Sequence, residues 1–180
     1  MSTSAPMYWL APISGVLIDY AKGKKLMSVI IAACKGLKFF DAFQNSQLDS
    51  DVVTAHGNSK CPRLGDGLEL GSKYLYKKGA WFGFGARHVF QENMDKLAKL
   101  VDYDSRLPDA DEPGPFRELF WWGEQGTIGP VVCAKLAFDF MTWKARARAL
   151  KDDSFYEFYS DLRRMFDFAM HNGCVFRRRS

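Results

Sequence analysis

Residues 127–176 constrain this chain most: two consecutive amphipathic segments loaded with aromatic side chains, followed by a short apolar stretch that ends in arginines. In the second segment Phe155, Phe158, Tyr159, Leu162, Met165, Phe166 and Ala169 recur at the three- and four-residue spacing that lines one face of a helix. Asp161, Arg163, Arg164 and Asp167 fall mainly off that stripe. The start is written as Asp152-Asp153-Ser154 with Glu157 three residues after the serine, a capping box in which hydroxyl and carboxylate satisfy the first free N–H groups. Gly173 is placed to stop the helix, because glycine enters the left-handed region just past a helix end at little cost. The first segment has Thr127 as its cap and Pro130 in its first turn, and its helical pattern runs to about Leu150. Val175-Phe176 either closes as a short strand or packs back on the helices, leaving Arg177-Arg178-Arg179 in water.

Upstream, the same spacing continues. Ile13 to Ala21 reads as a short helix interrupted by Gly23, and Lys25 to Gln44 as a better one, apolar at Leu26, Val29, Ile30, Ala33, Leu37, Phe40 and Phe43. Leu68 to Lys78 and Arg87 to Val101 are helical by pattern, and Pro113 to Trp122 makes a short helix. Ala80-Trp81-Phe82-Gly83-Phe84-Gly85-Ala86 is ambiguous, its aromatics favouring strand and its flanks favouring helix. The expected architecture is therefore all-α, a single-domain helical bundle over residues 1–180 with roughly six to seven helices and an optional short C-terminal strand. Residues 45–67 and 102–112 are expected as long loops, the first with one turn of helix at most, because glycine, proline and charge interrupt them.

The totals exclude little. Charged residues at 26% and hydrophobic residues at 47% suit one globular domain, and a formal charge of +4 steers toward acidic partners without implying nucleic acid. Cys34, Cys61, Cys133 and Cys174 are widely spaced and contain no CxxC, so zinc-ribbon and thioredoxin-type sites are not indicated, and all four read as reduced thiols of a cytoplasmic protein. One string points elsewhere: Ile31-Ala32-Ala33-Cys34, behind Lys24-Lys25, has the look of a lipobox, which keeps a periplasmic alternative open. Its apolar run, Leu26 to Ala33, is far shorter than a membrane span and starts late for a leader.

Chemistry-bearing patterns are weak. The glycines around Trp81 lack the Lys-Ser/Thr pair of a P-loop and the preceding strand of a dinucleotide fingerprint, so close packing explains them better. Glu118 and Glu124 beside Trp121-Trp122 offer a sugar platform with two carboxylates, as a small helical carbohydrate-active hydrolase would need. His88 and Glu92 are four apart, but one pair falls short of the three protein ligands of a catalytic zinc. No GxSxG marks a nucleophile. Lys144, Arg146, Arg148 and Lys151 form a basic strip with interleaved alanines, the pattern of a solvated helix face; joined to the arginine tail it would suit a nucleic-acid-binding or phage regulatory module.

Phe120-Trp121-Trp122-Gly123-Glu124-Gln125-Gly126, Phe155-Tyr156-Glu157-Phe158-Tyr159-Ser160-Asp161-Leu162-Arg163-Arg164 and Val175-Phe176-Arg177 resemble the C-terminal part of immunity proteins that neutralise bacterial polymorphic toxins, including type VI secretion effectors. The resemblance implies a small, non-catalytic protein that docks on a cognate toxin and occludes its active site. It implies no catalytic residue, metal or cofactor, and a toxin as partner in place of nucleic acid or membrane; a homodimer stays open. Large aromatics near chain breaks make Trp81, Phe82, Phe84, Trp121, Trp122 and Glu124 the expected docking residues, since buried aromatic anchors dominate binding energy at interfaces.

Overall fold

A central antiparallel sheet organises the molecule, and its core strand is the segment whose spacing suggested helix. In the computed structural model, residues 16–19, 24–39, 52–103, 114–122 and 126–177 are described. Strand β2 (Lys24–Lys35) pairs through its first half with β1 (Val16–Asp19). Its second half pairs with both β6 (Lys78–Ala86) and β8 (Gly173–Arg177), and β7 (Thr127–Ile128) adds to β8. Around the inner half the order is thus β6-β2-β8-β7, all antiparallel. A second, three-stranded antiparallel sheet runs β3 (Lys38–Phe39), β5 (Lys73–Leu75), β4 (Val52–Thr54).

The chain is therefore mixed α/β, and the all-α helical bundle is overturned. Val29, Ile30 and Ile31 are β-branched and favour the pleated backbone. From Ile31 to Cys34 every side chain is buried, so both faces of the strand are covered and no polar alternation advertises it. Such a run cannot be told from a buried helix by period alone. The lipobox-like Ile31-Ala32-Ala33-Cys34 is the innermost stretch of this strand.

Five α-helices are present among the described residues: α1 (Arg87–Leu100), α2 (Arg117–Trp122), α3 (Pro130–Thr142), α4 (Lys144–Ala149) and α5 (Asp153–Ala169). Helices α1, α2 and α5 fall where the periodicity put them. The long helix expected from Thr127 to Leu150 is instead β7, α3 and α4, broken at Trp143. The start of α5 is capped by Asp152, whose Oδ1 accepts the N–H of Phe155 at 2.9 Å, so the cap lies two residues before Ser154. At its other end Asn172 takes the left-handed conformation, with φ of 50°. Gly173 is required for a different reason: a Cβ there would stand 2.1 Å from the carbonyl oxygen of Cys34 and 2.6 Å from that of Ala169.

Helices α1, α3 and α5 pack on one face of the large sheet, and α2 and α4 join the same core. Ile31 and Ala33 of β2, Phe84 of β6, Ile128 of β7 and Val175 of β8 meet Phe90, Leu97, Phe116, Trp122, Phe140, Phe155, Phe158, Tyr159 and Phe166 in one core. Side chains alternate along a strand, so Cys34 and Cys174 point the other way. There they join Leu37, Val53, Ala55 and Tyr74 in a second core beneath the three-stranded sheet. Of residues 45–67, expected as a loop, β4 joins this side, whereas the 3-10 turn at Pro62–Gly65 puts Leu64 into the helical core; of the expected 102–112 loop, residues 104–112 lie outside the described residues.

Candidate partner-binding surface

Helix α3 is apolar nearly all round, and only half of it is used by the core. Val132, Cys133, Leu136, Ala137 and Phe140 are buried against the sheet and α5. On the opposite side Val131, Phe138 and Met141 are 57%, 63% and 55% exposed. With 100° per residue these three fall within one narrow sector, together with Ala134, so they form a continuous apolar ridge down the outer face of the helix. A surface helix ordinarily carries polar residues there. Leu70 is also about half exposed, and the loop that bears it touches α3: a Cβ on Gly67 would meet Pro130 and Val131.

Beyond Thr142 the chain turns at Trp143 into α4, which exposes Lys144, Arg146 and Arg148, with Lys151 just after. Aromatic rings hold part of this strip in place. The Arg146 guanidinium lies over the Trp143 ring at 4.7 Å, and that of Arg148 over Tyr156 at 5.7 Å. An apolar ridge thus runs into a basic collar. The sequence already held the signal, because Val131, Phe138 and Met141 are apolar at the positions opposite the core stripe.

The six residues singled out from sequence do not gather. Trp81 is 51% exposed on β6, whereas Phe82 and Phe84 point to the opposite face of that strand. Phe84 is buried in an edge-to-face triad with Phe90 and Phe158, at centroid distances of 5.4 to 5.6 Å. Phe82 is half-buried against the same core. Trp122 is buried and donates its indole N–H to the carbonyl of Gly126 at 3.0 Å, while Trp121 is half-buried. Glu124 lies outside the described residues. Of the set, Trp81 alone stands well out among the described residues.

Glu118 is tied structurally. Its Oε2 lies 2.6 Å from Lys135 Nζ, which also lies 2.8 Å from Asp139 Oδ2 and donates to the Gly114 carbonyl. Asp139 in turn accepts the N–H of Phe116, so this cluster fastens α2 to α3. A carboxylate so engaged is not presented to a glycosidic oxygen. His88 and Glu92 are exposed on α1, and among the described residues no group of three His, Cys, Asp or Glu side chains is gathered to hold a metal. Arg177 does not trail into water: its guanidinium lies 4.9 Å from the Phe90 ring centre and 5.0 Å from that of Trp122.

The thiols differ by surroundings. Burial pushes Cys61 and Cys133 upward. Cys34 and Cys174 sit side by side, Sγ to Sγ at 3.1 Å; their mutual hydrogen bond draws Cys34 below the ordinary thiol range and pushes Cys174 above it. No helix among the described residues is long and apolar enough to cross a membrane. No family model, curated protein or solved structure matches this chain.

Proposed function

We propose that this chain is a non-catalytic immunity protein that binds a bacterial toxin and covers its active site, with the outer face of α3 and the basic α4 as its docking surface. One observation carries the reading: Val131, Phe138 and Met141 stand more than half exposed in line on one helix face. Exposed apolar side chains gathered in this way mark interaction surfaces, whereas scattered ones need no explanation. Burying such side chains against a partner supplies affinity, and the rim of Lys144, Arg146 and Arg148 supplies orientation and encounter rate toward an acidic surface. Inhibition by occlusion asks for little more than that: a stiff scaffold and an apolar patch with a charged edge. The scaffold is stiff here, because α3 packs its other face onto the sheet and onto α5.

Co-expression tests this. Each protein encoded beside this chain's gene is produced in a sensitive host, with and without the chain. Survival only in its presence is the expected result. Phe138→Asp combined with Met141→Ser should abolish that protection while leaving the circular dichroism spectrum and melting temperature in place, since both side chains already face water. Undiminished protection by this variant would move the docking surface elsewhere, and absence of any protection would remove the immunity reading.

A further inference from the structure

Strands β2 and β8 are 140 residues apart in sequence at the point where Cys34 meets Cys174. The two are direct partners in the ladder register. Directly opposed residues of an antiparallel pair have Cα atoms roughly 4.5 or 5.5 Å apart, and both values lie inside the range a disulfide spans. Alternation puts both side chains on the same face of the sheet, and their sulfurs are in contact in this structure, in which all four thiols are free. Neither Cys61 nor Cys133 shares this relation. Cys133 lies in the helical core, where its thiol donates to the Ile128 carbonyl, and Cys61 sits beside the 3-10 turn.

We propose that Cys34 and Cys174 close into a disulfide that staples the C-terminal strand to the centre of the sheet. The oxidant is a disulfide RSSR, either low-molecular-weight or carried by a thiol oxidoreductase. The Cys34 thiolate attacks one sulfur of RSSR and expels RS⁻, giving a Cys34–S–S–R mixed disulfide. The Cys174 thiolate then attacks the Cys34 sulfur and expels the second RS⁻. Two protein thiols are oxidised, RSSR is reduced to two RSH, and the two thiol protons end on the two leaving thiolates. The roles of the two cysteines can be exchanged in this sequence, because either thiol can donate the hydrogen bond between them.

Access sets the timing. Both residues are 1% exposed or less, in one core with Leu37, Val53 and Tyr74. Exchange therefore takes place while the chain folds, before the three-stranded sheet closes over the pair, and the finished bond is shielded from reductants. A chain stapled in this way folds in an oxidising compartment, which bears on the cytoplasmic expectation and favours its periplasmic alternative.

The experiment uses the full chain, refolded from urea in a series of oxidised and reduced glutathione mixtures, then denatured and alkylated. Two alkyl labels per chain instead of four, with the Cys34 and Cys174 peptides joined by mass spectrometry, are expected in oxidising mixtures. Reduction should restore four labels and lower the melting temperature by about 10 °C, as expected for opening so long a loop. Cys61→Ser with Cys133→Ser should keep both effects, and Cys34→Ser with Cys174→Ser should lose them. Four labels in every mixture, or a bridge to Cys61 or Cys133, overturns the proposal. A Cys34–Cys174 bridge that leaves the melting temperature unmoved overturns its stapling role. The labelling is read on the unsubstituted chain, so a variant that fails to fold does not blunt the test.

Discussion

The two faces of the large sheet are filled in contrasting ways. Toward the helices stand Phe84, Phe90, Phe116, Trp122, Phe140, Phe155, Phe158, Tyr159 and Phe166. Toward the small sheet stand Cys34, Leu37, Val53, Ala55, Tyr74 and Cys174. Each large aromatic buries roughly 150–250 Å², so apolar burial on the helical side far exceeds that on the other. Hydrogen bonds tie the two sheets together beside this small core. Thr127 of β7 donates its hydroxyl to the Thr54 carbonyl and accepts the N–H of His56 at 3.0 Å, and the Thr127 N–H goes to the His56 carbonyl. Asn172, just before β8, donates its side-chain amide to the Leu37 carbonyl. One sheet therefore rests on a thick apolar cushion on one side and a thin, polar-tied cover on the other.

Gly173 sits where both sides meet, between the Cys34 carbonyl and the last turn of α5. Gly173→Ala should have the largest effect of any single methyl group, about 3 kcal/mol or more, because the collision is with backbone and cannot be relieved by a rotamer change. Urea unfolding measures it; a loss under 1 kcal/mol would mean that β8 is free to shift on β2. The contrast between the faces predicts the next step. Phe166→Ala, from the helical side, should cost about 3–5 kcal/mol, and Val53→Ala, from the other, about 1–2 kcal/mol. Equal losses would dissolve the distinction. Thr127→Val removes a buried hydroxyl that serves two partners and should cost about 1–2 kcal/mol. Its sharper signature is local: faster amide exchange at residues 54–56, with α5 amides unchanged.

The same contrast explains what the sequence could and could not disclose. Helices α1, α2 and α5 bury one stripe and expose the other, so their period is written in the residue order. Strand β2 is covered on both faces, and the apolar residues at 29, 30, 31, 33 and 37 satisfy a helical template as well as a strand. Its partners lie about fifty and 140 residues downstream, a relation that no local pattern reports. Gly173 was visible as a chain break, but its reason, the approach of the Cys34 carbonyl, exists only once β2 and β8 are paired. At the surface, aromatics beside glycines suggested exposure near Trp81. The strand instead sends Phe82 and Phe84 to the core and leaves Trp81 outside. The α3 ridge is written in the sequence only as apolar residues: with Lys135 and Asp139 confined to one narrow side, most of the helix reads as interior, and the packing decides which apolar side is left over.

The smallest effect lies at the rim of the helical side, where α1 and α5 are joined by charge. Lys96 Nζ stands 2.6 Å from Asp152 Oδ2, and the other carboxylate oxygen caps α5. The Lys96 hydrogen bond above all, with the Phe155 N–H behind it, holds the Asp152 carboxyl below the usual carboxylate range. In the unfolded chain an aspartate titrates near about 3.9. The folded form thus favours the ionised group, so its contribution is complete above that pH and fades as the pH falls through the lower folded value. Asn caps nearly as well as Asp, so Asp152→Asn should leave α5 capped, lower the urea midpoint slightly at neutral pH and flatten the acid-side fall in stability. Lys96→Met should flatten it too while keeping the carboxylate cap. Exposed pairs of this kind add little to stability, which places the effect below the core and hydroxyl changes. An acid-side slope unaltered in both variants would show that the carboxylate gains nothing from this pairing, and that the helical face is held by its aromatic cushion alone.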